Sequence, residues 1–217
     1  RSDRYFVKQY EDETNLRCHL LLDNSRSMAF GSLPYTKADY AKTLAATLGY
    51  YLYLQRDAVG LARFDERIDD LIPARHRPGQ FRRLVLALEA APEGRETQLS
   101  AALEEVAQRI HKRGLLVLIS DFLAPLDALE TSLSYLQARG NEIVAFQILD
   151  PVELTLEFDE PILLRDMESG RDVFIDPAQA RQQYVERLEA HLEELQSVAA
   201  QLGISLHRAT TDTALEA

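Results

Sequence analysis

Three observations predict an α/β fold with a mainly parallel central sheet and helices on both faces. Continuous apolar runs of strand length recur along the 217-residue chain. Segments with i, i+3/i+4 apolar spacing lie between them, so β and α patterns alternate. Two of the apolar runs end in Asp, and in an open α/β sheet ligands bind in the crevice beyond the carboxyl ends of the strands.

The first strand is predicted over 17–22, through Cys18-His19-Leu20-Leu21-Leu22. A helix over 37–55 follows, with Ala41, Leu44, Ala45, Leu48, Tyr51 and Leu52 on one face, and Tyr50, Tyr51 and Tyr53 as core and edge packing. Residues 58–64 form the second strand. Residues 67–72 pair with it antiparallel across the Asp65-Glu66 turn, as an edge strand. A helix over 80–90 leads to a loop from Pro92 to Glu96 that carries Thr97. The next helix, 99–112, is ended by Gly114. The central strand is 115–120, the helix 126–138 is stopped by Gly140, and 142–149 is the next strand.

The alternation then breaks. Asp150-Pro151 opens an extended segment to about 158, and strands 162–165 and 172–175 flank Glu168-Ser169-Gly170 as a β-hairpin. Asp176-Pro177 supplies an N-cap and a first-turn proline for a long helix. Its core stripe is Tyr184, Leu188, Leu192, Leu195, Val198 and Leu202, and Glu186, Glu189, Glu193 and Glu194 form a solvated face. The last strand is 204–208. With no internal repeat or low-complexity linker, residues 1–217 are expected to form a single domain with a β-hairpin insertion at about 151–176.

Composition narrows the function classes. A net charge of −11 argues against nucleic acid and anionic membrane surfaces and favours basic or metal-bridged partners. The single cysteine, Cys18, excludes an internal disulfide framework and sits in an apolar run as a structural thiol. No apolar stretch has the length of a membrane span, so no membrane insertion by this segment and a cytoplasmic location are expected. The chain starts with Arg rather than Met, as the C-terminal part of a longer protein would.

The loop Asp23-Asn24-Ser25-Arg26-Ser27, after the first strand, offers a carboxylate and two neutral oxygens to a hard divalent cation such as Mg²⁺ or Mn²⁺. A polar turn that caps the next helix is the alternative use of such residues. Two later segments join it: Leu115-Leu116-Val117-Leu118-Ile119-Ser120-Asp121 ends in an Asp, and Gly94-Arg95-Glu96-Thr97 delivers a Thr to a helix start. An Asp-x-Ser-x-Ser loop, a Thr loop and a strand-end Asp, in this order, resemble the metal-ion-dependent adhesion site of von Willebrand factor A domains. The resemblance implies Asp23, Ser25, Ser27, Thr97 and Asp121 as the metal ligands.

A narrower likeness covers essentially the whole chain. Val7-Lys8-Gln9-Tyr10-Glu11-Asp12-Glu13, Gln55-Arg56-Asp57-Ala58-Val59-Gly60-Leu61, Ser120-Asp121-Phe122-Leu123 and Leu164-Arg165-Asp166…Gly170…Asp176-Pro177 resemble the bacterial family called domain of unknown function 58. That resemblance implies a Rossmann-like von Willebrand A fold and a frequent association with MoxR-type AAA+ ATPases. Arg95 and Glu96 depart from the small residues usual before the Thr. Bulky residues tolerate positive φ poorly, so this loop is expected to be shaped differently, with Glu96 adding a carboxylate nearby.

Two carboxylates and three hydroxyls leave room on a divalent ion for waters, one of which an Asp or Glu of a partner protein can replace. No general base or nucleophile stands out beside these residues, and His19, His76, His111, His191 and His207 lack metal-ligand spacing. The expectation is therefore a non-catalytic, metal-dependent protein-interaction module, an adaptor or regulator for an AAA+ ATPase, with its ligands on exposed loops. The competing reading is a Mg²⁺-dependent phosphatase or phosphotransferase of the haloacid-dehalogenase type with Asp23 as nucleophile. That chemistry needs a second Asp where Ser25 stands, and a Lys that the sequence does not place near Thr97 or Asp121. A Rossmann-like module with a degenerate, empty site is the third reading.

Overall fold

The computed structural model describes residues 16–90, 99–156, 162–165, 172–175 and 177–215. Its strands are β1 (Arg17–Asp23), β2 (Ala58–Phe64), β3 (Ile68–Arg75), β4 (Leu115–Ser120), β5 (Glu142–Leu149), β6 (Ile162–Arg165), β7 (Asp172–Ile175) and β8 (Ser205–Thr210). Six of them form one sheet in the order β3-β2-β1-β4-β5-β8, and β6 and β7 form a separate antiparallel hairpin. Every pairing in the large sheet is parallel except β2 with the edge strand β3. The chain steps from β1 outward to β2 and β3, then returns to the other side of β1 with β4. The strand order therefore reverses between β1 and β4, the place where open α/β sheets bind ligands.

Helices cover both faces: α1 (Lys37–Leu54), α2 (Gln80–Glu89), α3 (Leu99–Arg109), α4 (Leu126–Ala138), α5 (Pro151–Thr155) and α6 (Pro177–Gln201). Side chains alternate along a strand, so β1 feeds two cores. Cys18, Leu20 and Leu22 pack with Ala41, Leu44 and Ala45 of α1 and Leu84 of α2. Leu21 packs with Leu103 and Val106 of α3, Leu129 and Leu133 of α4, and Leu195 of α6. Because both faces are covered, the central strands are apolar nearly throughout, the composition expected of parallel sheets.

The predicted alternation and the antiparallel edge strand are present; β2, β4, β5, β6 and β7 have the predicted bounds, and β1, β3 and β8 differ from them by up to three residues at an end. Three expectations need correction. The extended segment after Asp150-Pro151 is instead the short helix α5, with a capping box in which Asp150 and Glu153 exchange side-chain and backbone bonds. Helix α3 stops at Arg109 rather than running to 112, and Ile110 already packs into the core. Tyr51 is 60% exposed and is not part of the α1 core stripe. The N-cap expected at Asp176 and the loop from Pro92 to Glu96 lie outside the described residues.

Glycine is required at one point of the β2–β3 pair. The register shifts between Val59 and Leu61, and a Cβ on Gly60 would stand 2.6 Å from both the Ala74 nitrogen and the Ile72 oxygen. This close approach sets the end of β3 against the start of β2.

Candidate functional site

The carboxyl ends of β1 and β4 are neighbours because Leu22 pairs with Ile119, and this register places Asp23 beside Ser120 and Asp121. Asp23 is fully buried. Its Oδ1 accepts from the Ser25 backbone N–H at 2.8 Å and its Oδ2 from the Ser120 hydroxyl at 2.5 Å. The first bond folds the chain back at once, and residues Arg26–Ala29 then make a single 3₁₀ turn that brings the Ser25 and Ser27 hydroxyls to 3.1 Å. Asn24 closes the loop from behind: its backbone N–H donates to the Phe64 carbonyl at 2.7 Å. Its side-chain oxygen accepts from the buried Arg63 Nε at 2.8 Å.

Asp121 is 2% exposed and ends β4 with a sharp change of direction. The next residue, Phe122, is buried with φ of 55°, a left-handed conformation that costs a non-glycine residue about 1–2 kcal/mol. Its backbone N–H donates to Ser120 Oγ at 3.1 Å, and its carbonyl lies 2.8 Å from His191 Nε2 of α6. Backbone strain of this kind persists only where surrounding contacts over-determine it.

The counter-charge comes from Lys37. This lysine is fully buried, with Nζ 2.9 Å from Asp121 Oδ2 and 2.6 Å from Glu153 Oε1. It is the first residue of α1, after the Thr36–Asp39 capping box, where the helix dipole disfavours a cation. Burial pulls the ammonium pKa down, but Asp121 and Glu153 outweigh it and hold the pKa above the ordinary lysine value. Burial pushes the Glu153 carboxyl up despite Lys37. It also pushes the Asp23 carboxyl up to about 7, with the Asp121 charge adding to the effect and the Ser120 and Ser25 hydrogen bonds opposing it. Asp121 and Glu153 thus share one ammonium, and Asp23, the third buried carboxylate, has only neutral hydrogen-bond partners among the described residues.

A third strand-end carboxylate organises the neighbouring loop. Burial raises the Asp150 pKa, but hydrogen bonds from Ser32 and from the Val152 backbone N–H outweigh this and lower it overall. The Ser32 hydroxyl donates at 2.6 Å and its backbone N–H at 2.8 Å, so Asp150 staples the loop after the Asp-x-Ser-x-Ser turn to the end of β5.

Asp23, Ser25, Ser27 and Asp121 therefore converge at one edge of the sheet, and Thr97, with Arg95 and Glu96, lies outside the described residues. The expectation that these ligands sit on exposed loops is corrected: Asp23, Ser25 and Asp121 are buried and only Ser27 is partly open. The expected lack of a lysine near Asp121 is also overturned, because α1 delivers one from 84 positions earlier. The sequence reading missed Lys37; a cation at the start of a predicted helix, where the dipole disfavours it, is the signal that could have found it. Asp-Pro with Glu two residues later was the signal for the Asp150–Glu153 box.

The donor set fits a hard cation. Oxygens on adjacent vertices of a Mg²⁺ octahedron with bonds of about 2.0–2.1 Å are about 2.9 Å apart. The two serine hydroxyls stand at 3.1 Å, a spacing that also suits the hydrogen bond between them. The excess of buried negative charge beside them is what a divalent ion would offset. Among the described residues no three His, Cys, Asp or Glu side chains group as a metal site, so serine hydroxyls are needed to complete one.

The open, mainly parallel six-stranded sheet with helices on both faces is a von Willebrand A-like fold. The structure aligns with BatB from Bacteroides thetaiotaomicron at a TM-score of 0.61, with 14% identity over 90% of both chains. It aligns with an aerotolerance-related membrane protein from Bacteroides fragilis at 0.61, with 15% identity over 90% of this chain and 92% of the other. The Rpn10 VWA domain matches at 0.52, with 13% identity over 92% and 91%. In sequence, an uncharacterized protein of Mycobacterium tuberculosis is 28% identical over 98% of this chain and 68% of its own length. The model of the family described as protein of unknown function DUF58 matches residues 1–194, and the chain belongs to that family.

Proposed function

We propose that this domain is a non-catalytic protein-interaction module that docks its partner through a Mg²⁺ or Mn²⁺ ion. The ion would be held by Asp23, Ser25, Ser27, Thr97 and Asp121, and it would supply an open coordination position for an Asp or Glu of the partner. The observation that carries this reading is the pair of buried strand-end carboxylates, Asp23 and Asp121, flanked by the paired Ser25 and Ser27 hydroxyls. Lys37 offsets part of the Asp121 charge and leaves Asp23 as the carboxylate with most to gain from a cation. The strained turn at Phe122 and its link to His191 connect the site to α6, so a change at Asp121 has a path to that helix. The partner class we assign is a MoxR-type AAA+ ATPase, with this domain as adaptor or regulator.

The test compares wild type with Asp23→Ala, with circular dichroism as the folding control. Calorimetry with Mg²⁺ should show one site in the wild type and none in the variant. Capture of a MoxR-type ATPase from the same genome should require both Mg²⁺ and Asp23. Full capture by the folded variant in EDTA overturns the mechanism.

One observation bears on the phosphatase reading: Lys37 provides the cation that reading lacked. The second acid is still missing, because Ser25 occupies its position and cannot act as acid or base near neutral pH. Turnover of p-nitrophenyl phosphate that is lost in Asp23→Asn would reinstate it.

A further inference from the structure

The opposite edge of the same sheet carries a cleft of about 640 Å³, between the starts of β1 and β2, the end of β3 and the turn after α3. Five cations line it: Arg17, Arg75, Arg77, Arg109 and Lys112. Among the described residues no Asp or Glu lines it, although the chain carries 35 acidic residues against 24 Lys and Arg. Two of the five have partners in the fold: Arg17 Nη1 donates to the Ala74 carbonyl at 2.8 Å, and Arg109 pairs with Glu105 on its own helix. Arg75, Arg77 and Lys112 are exposed.

The floor is apolar, with Leu71, Pro73 and Ile110 between the cations. His19 also lines it, 5% exposed, and its Nδ1 has no hydrogen-bond partner among the described residues. Among the described lining residues there is no Phe, Tyr or Trp to act as a stacking platform for bases, and a net charge of −11 repels a long polyanion. An apolar floor with a cationic rim suits alternating carboxylates and aliphatic side chains. Arg recognises carboxylates in fork geometry, and the floor takes the side chains between them.

We infer that this cleft is a second docking surface, which takes an acidic, leucine-containing segment of a partner protein independently of the metal-type site. The two sites stand at opposite ends of β1, about 20 Å apart at the usual strand rise, so one copy can hold two partners at once.

The probe is a fluorescein-labelled peptide repeating Glu-Glu-Leu, followed by anisotropy in EDTA. It should bind wild type and the folded Asp23→Asn variant equally, which separates this proposal from the metal-dependent one. Replacing the glutamates by glutamine, or testing the Arg75→Glu/Arg77→Glu variant, should weaken binding by about tenfold or more, and salt should weaken it too. A Glu-Glu-Ser peptide should also bind more weakly, through loss of the apolar contacts. Equal binding of the glutamine peptide, or unchanged binding by the double variant, overturns the proposal. So does inorganic tripolyphosphate binding where the peptide does not, which would make the cleft a small-anion site.

Discussion

The two ends of the central sheet handle charge in opposite ways. At the carboxyl edge, Asp23, Asp121 and Glu153 are buried or largely buried around one buried ammonium, Lys37, and the fold itself supplies most of their partners. At the amino edge, Arg75, Arg77 and Lys112 are exposed, and among the described residues no carboxylate lines the cleft they surround. Burial makes the difference. A charge taken out of water must be matched inside the fold or by a bound ion, and is costly when its partner is removed. An exposed charge costs little to keep and stays available to a partner from outside. The first edge is thus coupled to stability, and the second can change with little effect on folding.

The largest effect that would break this contrast is at Lys37. Lys37→Met leaves Asp121 and Glu153 buried without their cation and should cost about 3–5 kcal/mol in urea unfolding. A loss below about 1 kcal/mol would show that the ammonium is not the counter-ion of this edge.

Among the described residues the amino edge buries His19, through which pH sharpens the comparison. Burial, with Arg17 adding to it, lowers the His19 pKa from 6.5 to about 4. Between these values the unfolded chain binds the proton and the folded chain does not. Stability is therefore full above the unfolded value and falls as pH drops through the folded one, by up to about 3 kcal/mol. His19→Gln should flatten this part of the stability–pH curve relative to wild type, measured by urea unfolding across the window. Identical slopes would remove His19 from the account.

The smallest expected change is a gain. Asp23→Asn removes a buried like charge next to Asp121, keeps an oxygen to accept from the Ser25 N–H and reverses the Ser120 bond, the amide donating to Ser120 Oγ, so in EDTA it should raise stability by about 1–2 kcal/mol. In Mg²⁺ the order should reverse, because the wild type alone gains from the ion. If Asp23→Asn is destabilising in EDTA, the carboxylate already has a charged partner within the fold.

Much of this architecture is legible locally. Apolar runs of six to eight residues at β1, β2, β4 and β5 mark strands whose neighbours contribute little to the choice, and i, i+4 stripes mark α3, α4 and α6. Errors fall where two local signals compete. Asp150-Pro151 follows a strand, which favours an extended path, whereas Asp-Pro-x-Glu is a helix start, and the helix start prevails; α6 begins at Pro177, as its proline predicts. Tyr51 fits the α1 stripe by spacing, but the surface under that turn ends short of it, and burial depends on what lies opposite.

The sequence by itself determined the α/β class, the strand-end positions of Asp23 and Asp121 and the Asp-x-Ser-x-Ser turn, because period, run length and turn chemistry are properties of neighbouring residues. Only the tertiary structure decided that Lys37 reaches Asp121 across 84 positions, that Asp150 staples Ser32, and that five cations from β1, from β3 and the loop after it, and from the end of α3 and the turn after it form a single cleft. These are pairings between residues far apart in the chain. They depend on strand order and register, which bring side chains together without leaving any mark in the local pattern.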